Sequence, residues 1–172
     1  MQQLKPLAER LRPKNLDEYV GQEHLVGKNA SLRMSIEAGK LTSMILWGPP
    51  GVGKTTLVNI ISNLTKRTVF TLSAINSGVK DVREVIEKAQ KQNLFSNTNP
   101  ILFIDEIHRF SKSQQDSLLG AVENGTITLI GATTENPSFE VISPLLSRCQ
   151  VYVLKHLEEK DLDFLIDRAI KE

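Results

Sequence analysis

Three groups of residues in this sequence have types and spacings suited to chemistry. Gly48-Pro49-Pro50-Gly51-Val52-Gly53-Lys54-Thr55 sets a glycine, four residues, then Gly-Lys-Thr, the pattern of a loop that wraps phosphate. Gly51 and Gly53 allow backbone angles that turn successive N–H groups onto phosphate oxygens, and a helix beginning at Lys54 aims its positive end at the same place. The Lys54 ammonium can reach β- and γ-phosphates, and the Thr55 hydroxyl suits Mg²⁺. The plain alternative is a Gly/Pro-rich turn. Its setting argues against that, because an apolar strand precedes it and an apolar-striped helix follows.

The second group is Ile101-Leu102-Phe103-Ile104-Asp105-Glu106, an apolar run ending in two carboxylates. Asp105 at the strand end can hold Mg²⁺ through water, and Glu106 can polarise the water that attacks a γ-phosphate. A carboxylate pair after a strand can also be no more than a helix cap. One strand-helix-strand unit beyond a phosphate loop, hydrolysis of a nucleoside triphosphate is the better reading. The third group, Thr128 to Thr134, is a strand ending in two hydroxyls, Thr133 and Thr134. Either can bond the attacking water or the γ-phosphate, although threonine is common in strands for packing reasons alone.

These residues need a frame. Short apolar runs at Ser43–Trp47, Thr68–Leu72, Ile101–Ile104, Thr126–Gly131 and Val151–Leu154 alternate with helical patterns over Lys54–Leu64, Val79–Leu94 and Ser111–Glu123. Strands alternating with helices predict an α/β fold with a parallel sheet covered on both faces. Before the first strand, Ser31 is expected to cap a short helix ended by Gly39. Met1 to Asn15, with Pro6 and Pro13, is expected to be an extended arm. The segment Glu158 to Lys171 carries Leu162, Leu165, Ile166, Ala169 and Ile170 on one stripe. The stripe needs a partner, and the expectation is that the chain stops inside the first helix of a further domain rather than folding that helix onto the sheet.

Length and composition agree with one core. The chain has 172 residues, 40% apolar and 24% charged, with a net charge of +1 and a single cysteine. Chains of this size bury roughly 68–70% of their unfolded surface. No apolar run approaches the roughly 20 residues of a membrane span, and Met1 to Asn15 lacks the apolar centre of a signal peptide. The expectation is a cytoplasmic protein without a disulfide.

The elements in this order resemble the AAA+ superfamily and, within it, the replication-associated recombination protein A family, a relative of clamp loaders. The resemblance is carried by Pro6-Leu7-Ala8-Glu9-Arg10, Tyr19 to Leu25, Ser43 to Thr56, Asp105 to Phe110 and Gly131-Ala132-Thr133-Thr134-Glu135-Asn136-Pro137-Ser138-Phe139. It covers essentially the whole chain. It implies a phosphate-loop NTPase of three αβα layers with a five-stranded, mostly parallel sheet. Residues 1–19 become an arm bordering the nucleotide, 20–155 the ATPase core and 156–172 the start of a helical lid.

The resemblance also assigns roles. Val20, Gly21 and Gln22 border the adenine, and Gly48 through Thr56 with Asp105 hold ATP and Mg²⁺. Lys54, Glu106, Thr134 (with Thr133 as the alternative) and Arg148 are catalytic. Arg148, in Ser147-Arg148-Cys149, becomes an arginine finger acting on an adjacent subunit; without the resemblance it is an ordinary surface arginine. Ser73 matches a polar switch near the catalytic glutamate. The family implies a DNA-stimulated ATPase acting at stalled forks or single-strand/duplex junctions, a homotetramer, and a single-stranded DNA-binding protein as a further partner. The Arg-Pro-x-x-Leu-Asp-Glu-Tyr opening is shared with RuvB-type branch-migration motors, and an ATP-gated interaction module is a third reading. The isolated chain is expected to bind ATP better than it hydrolyses it.

Other candidates read more plainly. His108 is expected to support the helix start rather than transfer protons. His24 and His156 lack metal-ligand company, and Trp47 and Cys149 read as core. Lys80, Arg83, Lys88, Lys91, Arg109 and Lys112 can line a DNA path, but no aromatic residues interleave to stack bases, so a solvated face is the simpler account.

Overall fold

The computed structural model describes residues 5–172, so 1–4 of the expected arm lie outside it. The five apolar runs form strands β1 (Met44–Trp47), β2 (Val69–Ser73), β3 (Ile101–Asp105), β4 (Thr128–Thr133) and β5 (Gln150–Val153). They make one sheet in the order β2-β3-β4-β1-β5, and every pairing is parallel. The helices are α1 (Leu7–Arg10), α2 (Glu23–Val26), α3 (Ser31–Glu37), α4 (Lys54–Thr65), α5 (Val79–Asn93), α6 (Lys112–Glu123), α7 (Pro137–Glu140), α8 (Ser143–Leu146) and α9 (Glu159–Lys171).

The alternation of side chains along each strand builds the three layers. Met44, Leu46, Ile101, Phe103, Ile130 and Ala132 pack with Leu32 and Ile36 of α3 and Leu57, Ile60 and Ile61 of α4. Ile45, Leu102, Ile104 and Leu129, one residue out of phase, pack with Val82, Val85 and Ala89 of α5 and Leu118 and Ala121 of α6. The three central strands, β3, β4 and β1, are buried on both faces, which fixes their register, while the edge strands β2 and β5 are partly exposed.

Local chemistry explains where boundaries differ from expectation. Residues 7–10 are helical rather than extended, because Pro6 precedes the helix and its carbonyl accepts from Glu9 N at 2.9 Å and Arg10 N at 3.1 Å; proline is tolerated at a helix start. Ala30, not Ser31, is the cap of α3 and makes no side-chain bond. The turn in which Ala30 N donates to Gly27 O starts that helix one residue early. Strand β4 begins at Thr128, since the N–H groups of Thr126 and Ile127 both donate to Ala121 O at the end of α6. Ser111 does cap α6, accepting from Gln114 N at 3.2 Å. Trp47, at the end of β1, is half-buried, while Cys149, just before β5, is half-buried and packs against the core as expected.

Helix α9 does not cover the sheet. Leu162, Ile166 and Ile170 are exposed, whereas buried Asp161 and half-buried Leu165 and Arg168 face the N-terminal arm. Arg168 Nη2 lies 3.3 Å from Glu18 Oε2. Among the described residues, no helix is long and apolar enough to cross a membrane.

Candidate nucleotide site

Parallel strands leave all their carboxyl ends on one edge, where ligands of such sheets bind. Here Trp47 of β1 stands beside Thr133 of β4, and Ile104 of β3 beside Gly131. The loop after Trp47, the carboxylates after Ile104 and the hydroxyls after Ala132 therefore meet. Pro50, Gly51, Gly53, Lys54, Thr55, Thr56, Asp105, Glu106, Thr133 and Thr134 line one open cavity of about 370 Å³. That is within the size range of small-molecule sites.

The loop is built for close approach. Gly51 and Gly53 have φ of +77° and +100°, angles that residues with a Cβ rarely adopt. A Cβ on Gly53 would also stand 2.9 Å from the Tyr19 hydroxyl. That buried hydroxyl donates to Gly53 O at 3.0 Å, and burial pushes its phenol well above the usual tyrosine range. No side chain caps α4, whose first residues Lys54, Thr55 and Thr56 line the cavity. Lys54 Nζ donates to Gly48 O at 2.6 Å and Pro49 O at 2.8 Å. Burial holds its ammonium below the usual lysine range, with the Asp105 carboxylate acting in the opposite sense.

Glu106 is the one strained residue of the cavity wall outside the glycines. Its φ is +53° and its ψ +47°, a conformation costing about 1–3 kcal/mol for a non-glycine residue. Such outliers gather at functional sites. Its N–H donates to Asp105 Oδ1 at 3.0 Å. Its Oε2 lies 3.2 Å from Arg109 Nε, yet that oxygen is buried and receives no hydrogen bond. A carboxylate oxygen poised without a donor fits a group meant to accept a proton from water. Arg109, for which a solvated face is the simpler sequence account, is more than half exposed and also pairs with Glu106.

The two threonines separate. Thr133 is buried, and its hydroxyl accepts from Glu135 N at 3.0 Å and lies 3.0 Å from His108 Nδ1. Thr134 is exposed on the cavity wall. His108 thus supports the end of β4 and is not on the cavity wall. Ser73 pairs in register with Asp105 but does not line the cavity.

Of the N-terminal trio only Val20 lines a pocket adjoining the main cavity. With Pro13, Tyr19, Val52, Leu157 and Leu165 it lines a pocket of about 120 Å³ that shares Gly51, Gly53 and Thr56 with the main cavity. Gln22 is fully buried and clasps the chain after β5. Its Nε2 donates to Lys155 O at 2.8 Å, and Lys155 N donates to its Oε1 at 2.9 Å. Gly21, at φ +87°, lets the arm pass Leu157 and Asp161, where a Cβ would stand 2.4 Å from Leu157 Cδ2. Tyr19 and the Gln22 clasp were not legible from residue type. Gln22→Leu removes two part-buried hydrogen bonds to the Lys155 backbone, each worth about 0.5–1.5 kcal/mol. We expect a melting midpoint lower by roughly 2–8 °C, read by differential scanning calorimetry.

Arg148 lies elsewhere. It precedes Gln150, which pairs with Met44 at the start of β1, so the length of β1, roughly 13 Å at 3.3 Å per residue, separates it from the phosphate loop. It lines a different pocket, with Ser43, Asn99 and Glu123. Its guanidinium pairs with Glu123, and Nη1 donates to Pro144 O at 2.6 Å.

Comparison with known proteins agrees with this geometry. The family model described as "ATPase family associated with various cellular activities (AAA)" matches residues 44–157. The chain is 54% identical over 167 residues to the replication-associated recombination protein A of Escherichia coli (strain K12), covering 97% of this chain and 37% of that protein. It is 37% identical over 169 residues to the protein of the same name from Bacillus subtilis (strain 168), covering 98% and 39%. Among solved structures, the Thermotoga maritima RuvB Holliday junction branch migration motor matches with a TM-score of 0.76 at 34% identity, covering 94% of this chain and 54% of that one. The chain thus spans less than two fifths of the length of these curated relatives. With its phosphate loop, its Asp-Glu strand end and a family match over most of its length, this chain belongs to the AAA family of ATPases.

Proposed function

We propose that this chain is the nucleotide-binding core of a DNA-dependent ATPase that acts at stalled replication forks and in recombination, with ATP hydrolysed between subunits. The observation that carries this is the division of the machinery. One end of the sheet gathers the phosphate loop, Asp105, Glu106 and Thr134, while Arg148 stands at the other end. A homo-oligomer, of tetrameric form by the family resemblance, brings the two ends together.

Adenine takes the apolar pocket beside Val20 and Tyr19, and the phosphates take the glycine loop. Lys54 exchanges the carbonyls of Gly48 and Pro49 for β- and γ-phosphate oxygens. Thr55 and, through water, Asp105 would hold a Mg²⁺ ion, which when bound would supply charge neutralisation at the phosphates. Glu106 accepts a proton from water as its oxygen bonds to the γ-phosphorus; the bond to the bridging oxygen breaks and ADP departs. The Thr134 hydroxyl orients that water, and Arg148 of the neighbour stabilises charge on the transferring group. Arg109 must give up Glu106 for this to proceed. A single chain therefore binds ATP but turns it over slowly.

The likeness to RuvB favours a second reading, a branch-migration motor; the 54% identity to the recombination protein favours the first. Steady-state hydrolysis by the full-length protein, with and without single-strand/duplex junction DNA, separates them. We expect at least tenfold stimulation by the junction. Stimulation confined to four-way junctions, with strand exchange, identifies the motor. Tight ATP binding without turnover on any DNA identifies an interaction module. A single-stranded DNA-binding protein is the further partner this reading proposes.

A further inference from the structure

We infer that Glu123 is the counter-ion that holds Arg148 withdrawn until a neighbouring subunit's ATP draws it off, an inference that rests on reading Arg148 as acting in trans. Both terminal nitrogens of the guanidinium are occupied within the chain. Nη2 pairs with the Glu123 carboxylate, and Nη1 donates to Pro144 O at 2.6 Å and Ser147 Oγ at 3.3 Å. The arginine is thus folded back over α8 and the last residue of α6. An incoming γ-phosphate has to displace the carboxylate, whose charge is then left beside a polyanion.

The pair is built to be displaced. Its side chains are 39% and 44% exposed, and ion pairs this open are weak. Neither residue is anchored by a second carboxylate or cation among the described residues. Glu123 also sits where it can report on its own subunit. It ends α6, whose start at Ser111 follows directly on the turn bearing Glu106 and Arg109. Glu123 is a positioning residue: it touches no substrate in its own site and acts through Arg148.

The test is steady-state hydrolysis against ATP concentration for the full-length wild type, Glu123→Gln, Glu123→Asp, Arg148→Ala and the Glu123→Gln/Arg148→Ala double variant. With the restraint removed, kcat/KM of Glu123→Gln rises two- to fivefold, about 0.4–1 kcal/mol at 1.4 kcal/mol per tenfold, chiefly through a lower KM. Glu123→Asp restores wild-type behaviour, added salt shrinks the difference, and Glu123→Gln changes nothing in the Arg148→Ala background. Should Arg148→Ala itself leave turnover intact, the trans reading falls and the restraint with it. Should Arg148→Ala lose turnover while Glu123→Gln leaves kcat/KM unchanged or lower, or acts equally in the double variant, the restraint alone is overturned.

Discussion

Replacing Glu106 by glutamine is expected to leave ATP binding within about twofold and to lower turnover by two to four orders of magnitude, the usual worth of a general base. The reasoning starts at the backbone. Glu106 holds φ +53° at the end of β3, where the last strand residue, Asp105, is tied to it by the Oδ1 contact at 3.0 Å. That geometry turns the side chain into the cavity rather than along the sheet. Glutamine has the same shape and the same backbone preference, so the strain and fold are kept. What is lost is the basic oxygen, which is buried and free of a hydrogen-bond donor. Equilibrium binding of a fluorescent ATP analogue and release of phosphate measure the two halves. Near-normal turnover removes Glu106 from the role of base.

Arg148→Ala carries the second large effect. Arginines supplied across an interface to a transferring phosphoryl group are worth about 10³–10⁵ in rate, so a loss of about a thousandfold in kcat is expected from the assembled protein. Affinity for ATP falls by only a few fold, because the phosphate loop of the binding subunit keeps its own contacts when the neighbour's arginine is removed. Stability changes little too, since its pair with Glu123 is exposed. Phosphate release at saturating ATP, with ATP affinity measured separately, shows whether the loss lies in turnover.

The parts legible in the sequence are those with a short-range physical cause. Ile101 to Ile104 could only be a buried strand, and the residues after it had to emerge at the sheet edge. The phosphate loop specified its own turn and the start of α4. Ser111 caps α6 as its type predicts, and the structure adds Gln114 as the other half of a capping box.

Long-range partnerships were less legible. Nothing in the type of Gln22 shows that its amide will mate with Lys155, 133 residues away. By type Arg109 is one basic residue among several, and only the 3-10 turn Ile107–Arg109 brings it to Glu106. Adjacent hydroxyls at Thr133 and Thr134 differ only by which face of a strand end each leaves. That face is set by the packing of β4 and by His108, not by residue type.

An active site shared between subunits is tested most directly by mixing two inactive forms. Lys54→Ala destroys the phosphate loop of a subunit but keeps its Arg148; Arg148→Ala keeps the loop but lacks the finger. Each alone should hydrolyse almost no ATP. In mixed oligomers, confirmed as such by native mass spectrometry, some interfaces unite an intact loop with an intact arginine, and a substantial fraction of wild-type turnover returns. Confirmed mixed oligomers that remain as inactive as their parents would contradict the shared site.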